Sequence, residues 1–152
     1  MKENSRPDAV AVVVVRGAGT DAEVLLLRRG GGAFAGAWTF VMGGVENGER
    51  GADAARRELF EETGLSLAAL FTAGELDAFY DPVRDRIVHV PFFVAHVAEG
   101  EVALENDVHD EHRWATFEEA RMMLEFASHR RVLDEVRRAF VLRPPAGWRV
   151  IR

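Results

Sequence analysis

Residues 41–65 have the sequence VMGGVENGERGADAARRELFEETGL, and no other segment of the chain is as informative. From residue 51 to residue 63, small and apolar residues recur at the spacing of one helix face. These positions are Ala52, Ala55 and Leu59. Gly64 follows at the place where a residue in the left-handed conformation commonly ends a helix. The segment therefore predicts an amphipathic helix from Gly51 to Thr63.

The predicted helix carries three glutamates on one face. With about 100° of rotation per residue, Glu58, Glu61 and Glu62 fall close together. Like charges at these spacings destabilise a helix, and the negative end of the helix dipole adds to the effect. A hard divalent cation such as Mg²⁺ would compensate them, since it prefers carboxylate oxygens and binds beside substrate phosphates. Taken alone, the acidic face allows two interpretations, an ordinary solvated surface and a metal site.

The residues before the helix are rich in glycine. Gly43, Gly44 and Gly48 permit a sharp turn and a close approach of the backbone to a ligand. Arg57 lies one turn before Glu61 on the helix and can reach back to a carboxylate in this segment. Each of these features is common in proteins, so their joint spacing carries the information.

That spacing resembles the Nudix box, G-x5-E-x7-R-E-U-x-E-E-x-G-U, in which U is an aliphatic residue. All nine fixed positions match, and they are Gly43, Glu49, Arg57, Glu58, Leu59, Glu61, Glu62, Gly64 and Leu65. The direct match covers the box, and the order of predicted elements extends the likeness over most of the chain. The resemblance implies one Nudix hydrolase domain over residues 1–152. Its fold would be an α/β/α sandwich with a mixed β-sheet, in which the box forms a loop, a helix and a loop.

The resemblance also implies a metal site. Glu58 and Glu62 would be the principal ligands, with Glu61 as a further ligand. The backbone carbonyl of Met42 occupies a position that also binds metal in relatives. The implied cofactor is Mg²⁺, with Mn²⁺ as the alternative, and neither the number of ions nor the preferred metal follows from the sequence.

The implied catalytic residues are Glu49, Arg57, Glu58 and Glu61. Arg57 and Glu49 would form an ion pair that orients the carboxylates, while Glu58 and Glu61 activate the attacking water. Many relatives add a carboxylate from a late loop, and the corresponding residue here is Val108. The nearby candidates, each of which has an ordinary surface role as its simpler interpretation, are Asp107, His109, Asp110 and Glu111. Glu111 is the best of them, but reaching the site from its position would require a bulge. We therefore expect Glu58 and Glu61 to suffice.

The substrate class follows only loosely from the sequence. Relatives commonly have Pro-Gly before the first box glycine, whereas this chain has Val41 and Met42. This pair resembles the branch that acts on dihydroneopterin triphosphate and nucleoside triphosphates. It predicts cleavage of a triphosphate to a monophosphate and pyrophosphate. ADP-ribose and dinucleoside polyphosphates stay open as alternatives, because Pro82 and Tyr80 lie near positions that mark those classes. The expected substrate-binding residues are Arg28, Trp38, Gly43, Gly44 and Tyr80.

Composition limits the other functions. The chain has no cysteine, which excludes disulfides, thiolate metal sites and cysteine nucleophiles. The absence of cysteine also argues against an isoprenoid diphosphate isomerase, which uses a cysteine in known relatives of this fold. A non-catalytic Nudix-fold domain that binds a nucleotide or a partner protein is the remaining alternative. Such domains tend to have degraded boxes.

Charge and hydropathy bear on location and partners. The net charge of −6 argues against general nucleic-acid binding, so we expect a small-molecule nucleotide as partner. The polar start of the chain, residues 1–7, and the short apolar run over residues 9–15 predict neither a signal peptide nor a membrane span. These features favour a cytoplasmic protein. Whether it forms a homodimer does not follow from the sequence.

The remaining elements are predicted from local pattern. Strands are expected over residues 9–15, 23–28, 38–41, 70–80, 86–97 and 113–115. Thr116 and Glu119 have the spacing of a capping box, which predicts a helix to about Leu124. A second helix is expected near Ser128, with Val132, Leu133, Val136 and Phe140 as its apolar stripe. Pro91 indicates that its strand lies partly at an edge.

Overall fold

A computed structural model of the chain describes residues 5–104 and 107–152, so residues 1–4, which begin the predicted polar start, lie outside the described part. The strands of the described chain are β1 (Ala9–Arg16), β2 (Glu23–Arg29), β3 (Trp38–Thr39), β4 (Val41–Gly44), β5 (Ala69–Asp81), β6 (Arg86–His96), β7 (His109–Thr116) and β8 (Val150–Ile151). The α-helices are α1 (Gly51–Thr63), α2 (Phe117–Met123) and α3 (Ala127–Val136), and a π-helical turn, Arg137–Val141, follows α3.

The strands form one mixed sheet with the order β3-β2-β1-β6-β5-β8. Strand β1 pairs in parallel with β6 and antiparallel with β2 and β4, while β7 pairs antiparallel with β2. Only two residue pairs join β1 to β2, Val15 with Val24 and Arg16 with Glu23, so the two strands separate beyond these pairs. Strand β4 lies along the part of β1 that β2 leaves unpaired.

Helices cover both faces of the sheet. Alternate side chains of β1 point to opposite faces, and every residue from Val10 to Val15 is fully buried. Ala11, Val13 and Val15 pack in a cluster with residues of α2 and α3. Val10, Val12 and Val14 pack in a second cluster with Ala54, Ala55 and Leu59 of α1. Burial of each valine contributes about 1.5 kcal/mol or more, so β1 holds the two layers together. The predicted α/β/α sandwich with a mixed sheet is confirmed.

The predicted strand over residues 38–41 is wrong, because the structure divides this segment into two strands. Trp38 and Thr39 pair with β2, whereas Val41–Gly44 pairs with β1. Phe40 lies between them and is fully buried, with its ring 4.9 Å from the ring of His129. The reason for the division is the separation of β1 and β2, since a segment crossing between them must change partner. Gly43 and Gly44 consequently lie in a strand and not in a loop.

The predictions for the C-terminal half are largely confirmed. Thr116 and Glu119 form the capping box of α2. The apolar stripe predicted for the last helix is buried, although α3 ends at Val136 and Phe140 lies in the π-helical turn that follows. Strand β7 is longer than predicted. Pro91 lies one residue before β6 begins to pair with β1, in the part of the strand that pairs only with β5. Strand β8 closes the free edge of β5.

A buried arginine holds the C-terminal tail on the domain. The guanidinium of Arg149 lies 4.5 Å from the ring of Trp148 and 5.2 Å from that of Phe140, and it donates to the carbonyl of Ala73 at 2.6 Å. Such contacts stabilise a buried arginine, because the aromatic rings and the carbonyl oxygen interact with the guanidinium in place of water. Among the helices of the described residues, none is long and apolar enough to cross a bilayer.

Candidate active site

Helix α1 positions the box carboxylates. It ends at Gly64, which has φ of 71° and donates its N–H to the carbonyl of Phe60, as the sequence predicted. Its apolar stripe is anchored on β1, and this fixes the rotation of the helix about its axis. Glu58 and Glu62 are therefore held against the sheet, only 7% and 9% exposed, whereas Glu61 points outward. The three glutamates do not share one environment.

Gly43 provides the space for Glu58. A Cβ atom at Gly43 would lie 1.9 Å from the carboxylate carbon of Glu58 and about as close to both of its oxygens. No side chain other than hydrogen is compatible with that contact, although the φ of Gly43 is not in the left-handed range. At the neighbouring Gly44 a Cβ atom would meet nothing within 4 Å. The first box glycine is thus required by close packing against a carboxylate.

Arg57 is the centre of the site. Its Nε and Nη2 donate to the two carboxylate oxygens of Glu49 at 2.8 and 2.9 Å, and Nη2 also donates to the carbonyl of Gly44 at 2.8 Å. Its Nη1 donates to Glu58 at 2.9 Å and to Glu61 at 3.1 Å. The planar guanidinium presents several donors in a fixed geometry, so one side chain sets the positions of three carboxylates.

Two of the carboxylates that contact Arg57, those of Glu49 and Glu58, have pKa values shifted in opposite directions. Hydrogen bonds from Arg57 and from the backbone N–H of Glu46 lower the pKa of Glu49 to about 2. Burial raises the pKa of Glu58, and the charges of Glu61 and Glu62 add to this effect, while Arg57 opposes it. Glu49 therefore stays ionised as the permanent partner of Arg57, and an added positive charge would favour the ionised form of Glu58.

Glu62 has a partner that the sequence did not predict. Its Oε2 lies 2.8 Å from Nδ1 of His109, the first residue of β7, and both side chains are buried. The sequence suggests an ordinary surface role for His109, and this expectation is wrong. The contact depends on a bulge in β7, which local sequence patterns do not reveal.

The carboxylates do not form a closed cage of ligands. Among residues 5–104 and 107–152, no group of three His, Asp or Glu side chains stands ready to hold a metal ion. Glu58 and Glu61 turn toward Arg57, and Glu62 turns toward His109. A Mg²⁺ ion needs no such cage, because it keeps several waters and binds through one or two carboxylates together with phosphate oxygens. The oxygen-rich donor set and the restricted position of Glu58 fit a hard divalent cation.

The other predicted site residues lie in separate places. Met42 is half-buried in β4 and pairs with Ala11 of β1. Trp38 is half-buried in β3 and packs beside the core. Tyr80 is exposed near the tip of the β5–β6 hairpin, where its hydroxyl donates to Asp85 at 2.7 Å. The structure therefore does not join Tyr80 to the carboxylates by any hydrogen bond.

Arg28 is held by acidic side chains of β7. Its Nε donates to Asp110 at 2.8 Å, and its Nη1 lies 3.0 Å from Glu111. The guanidinium also lies 5.9 Å from the ring of Trp38. Glu111 thus contacts an arginine, and it does not contact the box glutamates. A phosphate group at this position would compete with Asp110 and Glu111 for Arg28.

A groove of about 550 Å³ runs along the outer side of the box loop. Its charged lining includes Arg50 and Glu49 of the box, but not Glu58, Glu61 or Glu62. Arg86 in its wall already pairs with Asp8 at 3.3 Å. We do not assign the reacting phosphates to this groove, because Glu58 and Glu62 do not line it.

Comparison with known proteins identifies the family of the chain. The family model of the NUDIX domain matches residues 5–136, and the chain belongs to the NUDIX family. The chain is 35% identical over 138 residues to an octanoyltransferase of Myxococcus xanthus, covering 86% of this chain and 36% of the relative. It is 43% identical over 53 residues to an RNA pyrophosphohydrolase of Bartonella bacilliformis, covering 35% of this chain and 31% of the relative. The chain thus spans about a third of the length of these relatives.

Solved structures share the fold. A protein of Listeria monocytogenes described as a NUDIX hydrolase superposes with a TM-score of 0.74 at 23% identity, covering 86% of this chain and 92% of that one. A MutT protein of Methanosarcina mazei superposes with a TM-score of 0.67 at 26% identity, covering 90% of this chain and 97% of that one. Proteins of this family act on nucleoside diphosphate derivatives and generally use divalent metal ions.

Proposed function

We propose that residues 1–152 form one Nudix hydrolase domain that cuts a phosphoanhydride bond in a nucleoside diphosphate linked to another group. The observation that carries the proposal is the position of Glu58, which lies against Gly43 and accepts a hydrogen bond from Arg57. A buried carboxylate cluster is costly unless a positive charge compensates it. Arg57 compensates part of the charge of Glu49, Glu58 and Glu61, and a divalent cation would compensate the rest.

In this proposal Glu58 and Glu62 hold the cation, with Glu61 and the carbonyl of Met42 as further ligands. A bound Mg²⁺ or Mn²⁺ would neutralise charge on the phosphate oxygens and would make a water easier to deprotonate. Glu58 and Glu61 would activate the attacking water, one of the two carboxylates taking its proton, and Arg57 and Glu49 would hold the carboxylates in place. Gly43 and Gly44 leave room for the substrate to approach the backbone.

The substrate we propose is a nucleoside triphosphate, cleaved to a monophosphate and pyrophosphate. Support comes from Val41 and Met42, which replace the Pro-Gly of many relatives, and from the 53-residue match to a relative that is named an RNA pyrophosphohydrolase. Arg28 would bind phosphate after release from Asp110 and Glu111, with Trp38 beside it. ADP-ribose and dinucleoside polyphosphates are the alternatives, and Tyr80 would then take part in binding.

We also propose that the protein acts in the cytoplasm, without a nucleic-acid or membrane partner. Its assembly as a homodimer is open.

The experiment is a panel of nucleoside triphosphates, ADP-ribose and dinucleoside polyphosphates, assayed with Mg²⁺, with Mn²⁺ and with excess chelator. We expect turnover only with added metal. Glu58→Gln should lower kcat at least about 100-fold, on the order of 2.7 kcal/mol of barrier, without loss of fold. Glu118→Gln is the matched control, because the side chain of Glu118 is exposed on α2 and pairs with Arg137.

Two outcomes would contradict the proposal. Turnover that persists in excess chelator would exclude the metal-dependent mechanism. Tight nucleotide binding without turnover of any member of the panel would favour the non-catalytic alternative. Measuring binding by calorimetry alongside turnover separates these cases, since the first concerns the metal and the second concerns the chemistry.

A further inference from the structure

His109 is a buried histidine at the start of β7 whose ring faces the box helix. Its Nδ1 lies 2.8 Å from Oε2 of Glu62, within hydrogen-bond distance. The His109 side chain is 4% exposed and that of Glu62 is 10% exposed. Little water competes for this contact, so it restricts the carboxylate more strongly than a surface pair would.

A bulge in β7 brings His109 to this position. Glu111 pairs with Arg28, and His109 pairs with Arg29, so Asp110 is an extra residue in the ladder. Paired residues on neighbouring strands point to the same face of a sheet, and successive residues point to opposite faces. Without the bulge, His109 and Glu111 would share one face. With it, Glu111 contacts Arg28 and His109 contacts Glu62.

We propose that His109 is a positioning residue for the metal ligand Glu62, an inference that rests on the proposed function. The carboxylate accepts a hydrogen bond from Nδ1–H at Oε2, which fixes the orientation of the Glu62 side chain. Residues that orient metal ligands in this way commonly change metal affinity 10- to 100-fold when they are removed. His109 acts through Glu62 and needs no contact with the substrate.

The same bulge explains how this chain supports the site without a carboxylate at Val108. Val108 is 41% exposed, and its carbonyl accepts a hydrogen bond from the N–H of Gly30. The late segment therefore contributes a hydrogen-bond donor to Glu62 from the next residue. In this chain the late segment orients Glu62, whereas a late carboxylate would act as the base.

The test is the affinity for Mn²⁺ without substrate, measured by electron paramagnetic resonance of the free ion. Leucine and asparagine have nearly the same shape, and an asparagine Nδ2 takes the position of the histidine Nδ1. We expect His109→Leu to weaken Mn²⁺ binding about tenfold or more and His109→Asn to restore most of the loss. His112→Leu is the matched control, because His112 lies on the same strand and is exposed. Its Mn²⁺ affinity should equal that of the unchanged protein.

Wild-type Mn²⁺ affinity in His109→Leu would overturn the inference, and so would equal losses in the leucine and asparagine variants. A second measurement needs no variant, in case His109→Leu does not fold. Substoichiometric Mn²⁺ should broaden the ring signals of His109 more than those of His112 in NMR spectra of the unchanged protein. Equal broadening would also overturn the inference. If instead the unchanged protein binds no Mn²⁺ at all, the proposed function itself fails, so the two failures are distinguishable.

Discussion

At the scale of single residues, the site depends on atoms that are absent as well as on those present. Gly43 has no Cβ, and the carboxylate of Glu58 occupies the space where a Cβ would lie. A methyl group there must displace either the strand or the carboxylate. The side chain of Glu58 moves more easily than the strand, because β4 is hydrogen-bonded to β1 along its length.

We therefore predict that Gly43→Ala weakens Mn²⁺ binding about tenfold or more, on the order of 1.4 kcal/mol, by pushing Glu58 out of place. Gly44→Ala is the control, since its Cβ would meet nothing within 4 Å and neither glycine has a positive φ. Titration of Mn²⁺ into the three proteins checks the prediction. Equal affinities in Gly43→Ala and Gly44→Ala would show that Glu58 is not a ligand or can bind from another position.

At the scale of elements, the capping box of α2 is a local signal that the structure reproduces. The Thr116 hydroxyl accepts from the N–H of Glu119 at 3.1 Å, and the Glu119 carboxylate accepts from the N–H of Thr116 at 3.1 Å. Both bonds satisfy N–H groups that the first helical turn leaves unpaired. The helix start is thus specified by four consecutive residues.

Thr116→Ala should lower the free energy of unfolding by about 1 kcal/mol, because it removes the cap while leaving the packing of α2 in place. Ser128→Ala is the comparison, since Ser128 lies in the first turn of α3, whose N-cap residue Phe126 forms no side-chain cap bond. Urea denaturation of both variants measures the difference. A loss in Ser128→Ala as large as that in Thr116→Ala would argue that the cap contributes little.

At the scale of the whole molecule, stability should depend on pH through one buried histidine. His129 is 1% exposed, lies among the rings of Phe40, Phe92 and Phe126, and its Nδ1 has no hydrogen-bond partner in the described chain. Burial lowers the pKa of His129 from its usual 6.5 to about 4, with a small opposing effect from the charge of Asp77. The folded protein therefore keeps this ring neutral over a range where the unfolded chain binds a proton.

Stability from His129 should be fully present above pH 6.5 and lost as the pH falls toward 4, a change on the order of 3 kcal/mol. We predict that His129→Phe removes this part of the pH dependence, because phenylalanine cannot bind the proton. His112→Phe replaces an exposed histidine and should leave the change in unfolding free energy with pH as it is in the unchanged protein. Urea denaturation at pH 7 and pH 4.5 checks both variants. If the unfolding free energy of His129→Phe changed between pH 7 and pH 4.5 as much as that of the unchanged protein, the prediction would be contradicted.

The box region shows how far local pattern reaches. The helix from Gly51 to Thr63, its end at Gly64 and the pairing of Arg57 with Glu49 follow from spacing along one helix and one adjacent turn. These features involve residues within about 15 positions of one another, where a fixed helical geometry relates sequence distance to spatial distance. Sequence spacing is sufficient at this range, and the same holds for the capping box of α2.

Other features depend on contacts between distant segments. The division of residues 38–41 into β3 and β4 follows from the separation of β1 and β2, and the contact of His109 with Glu62 joins residues 47 positions apart across a bulge. The same bulge places Glu111 on Arg28. A single inserted residue reverses which face each following side chain occupies, and no local pattern marks it. The partners of Glu62 and Arg28 are therefore set by strand register, which exists only after the strands have paired.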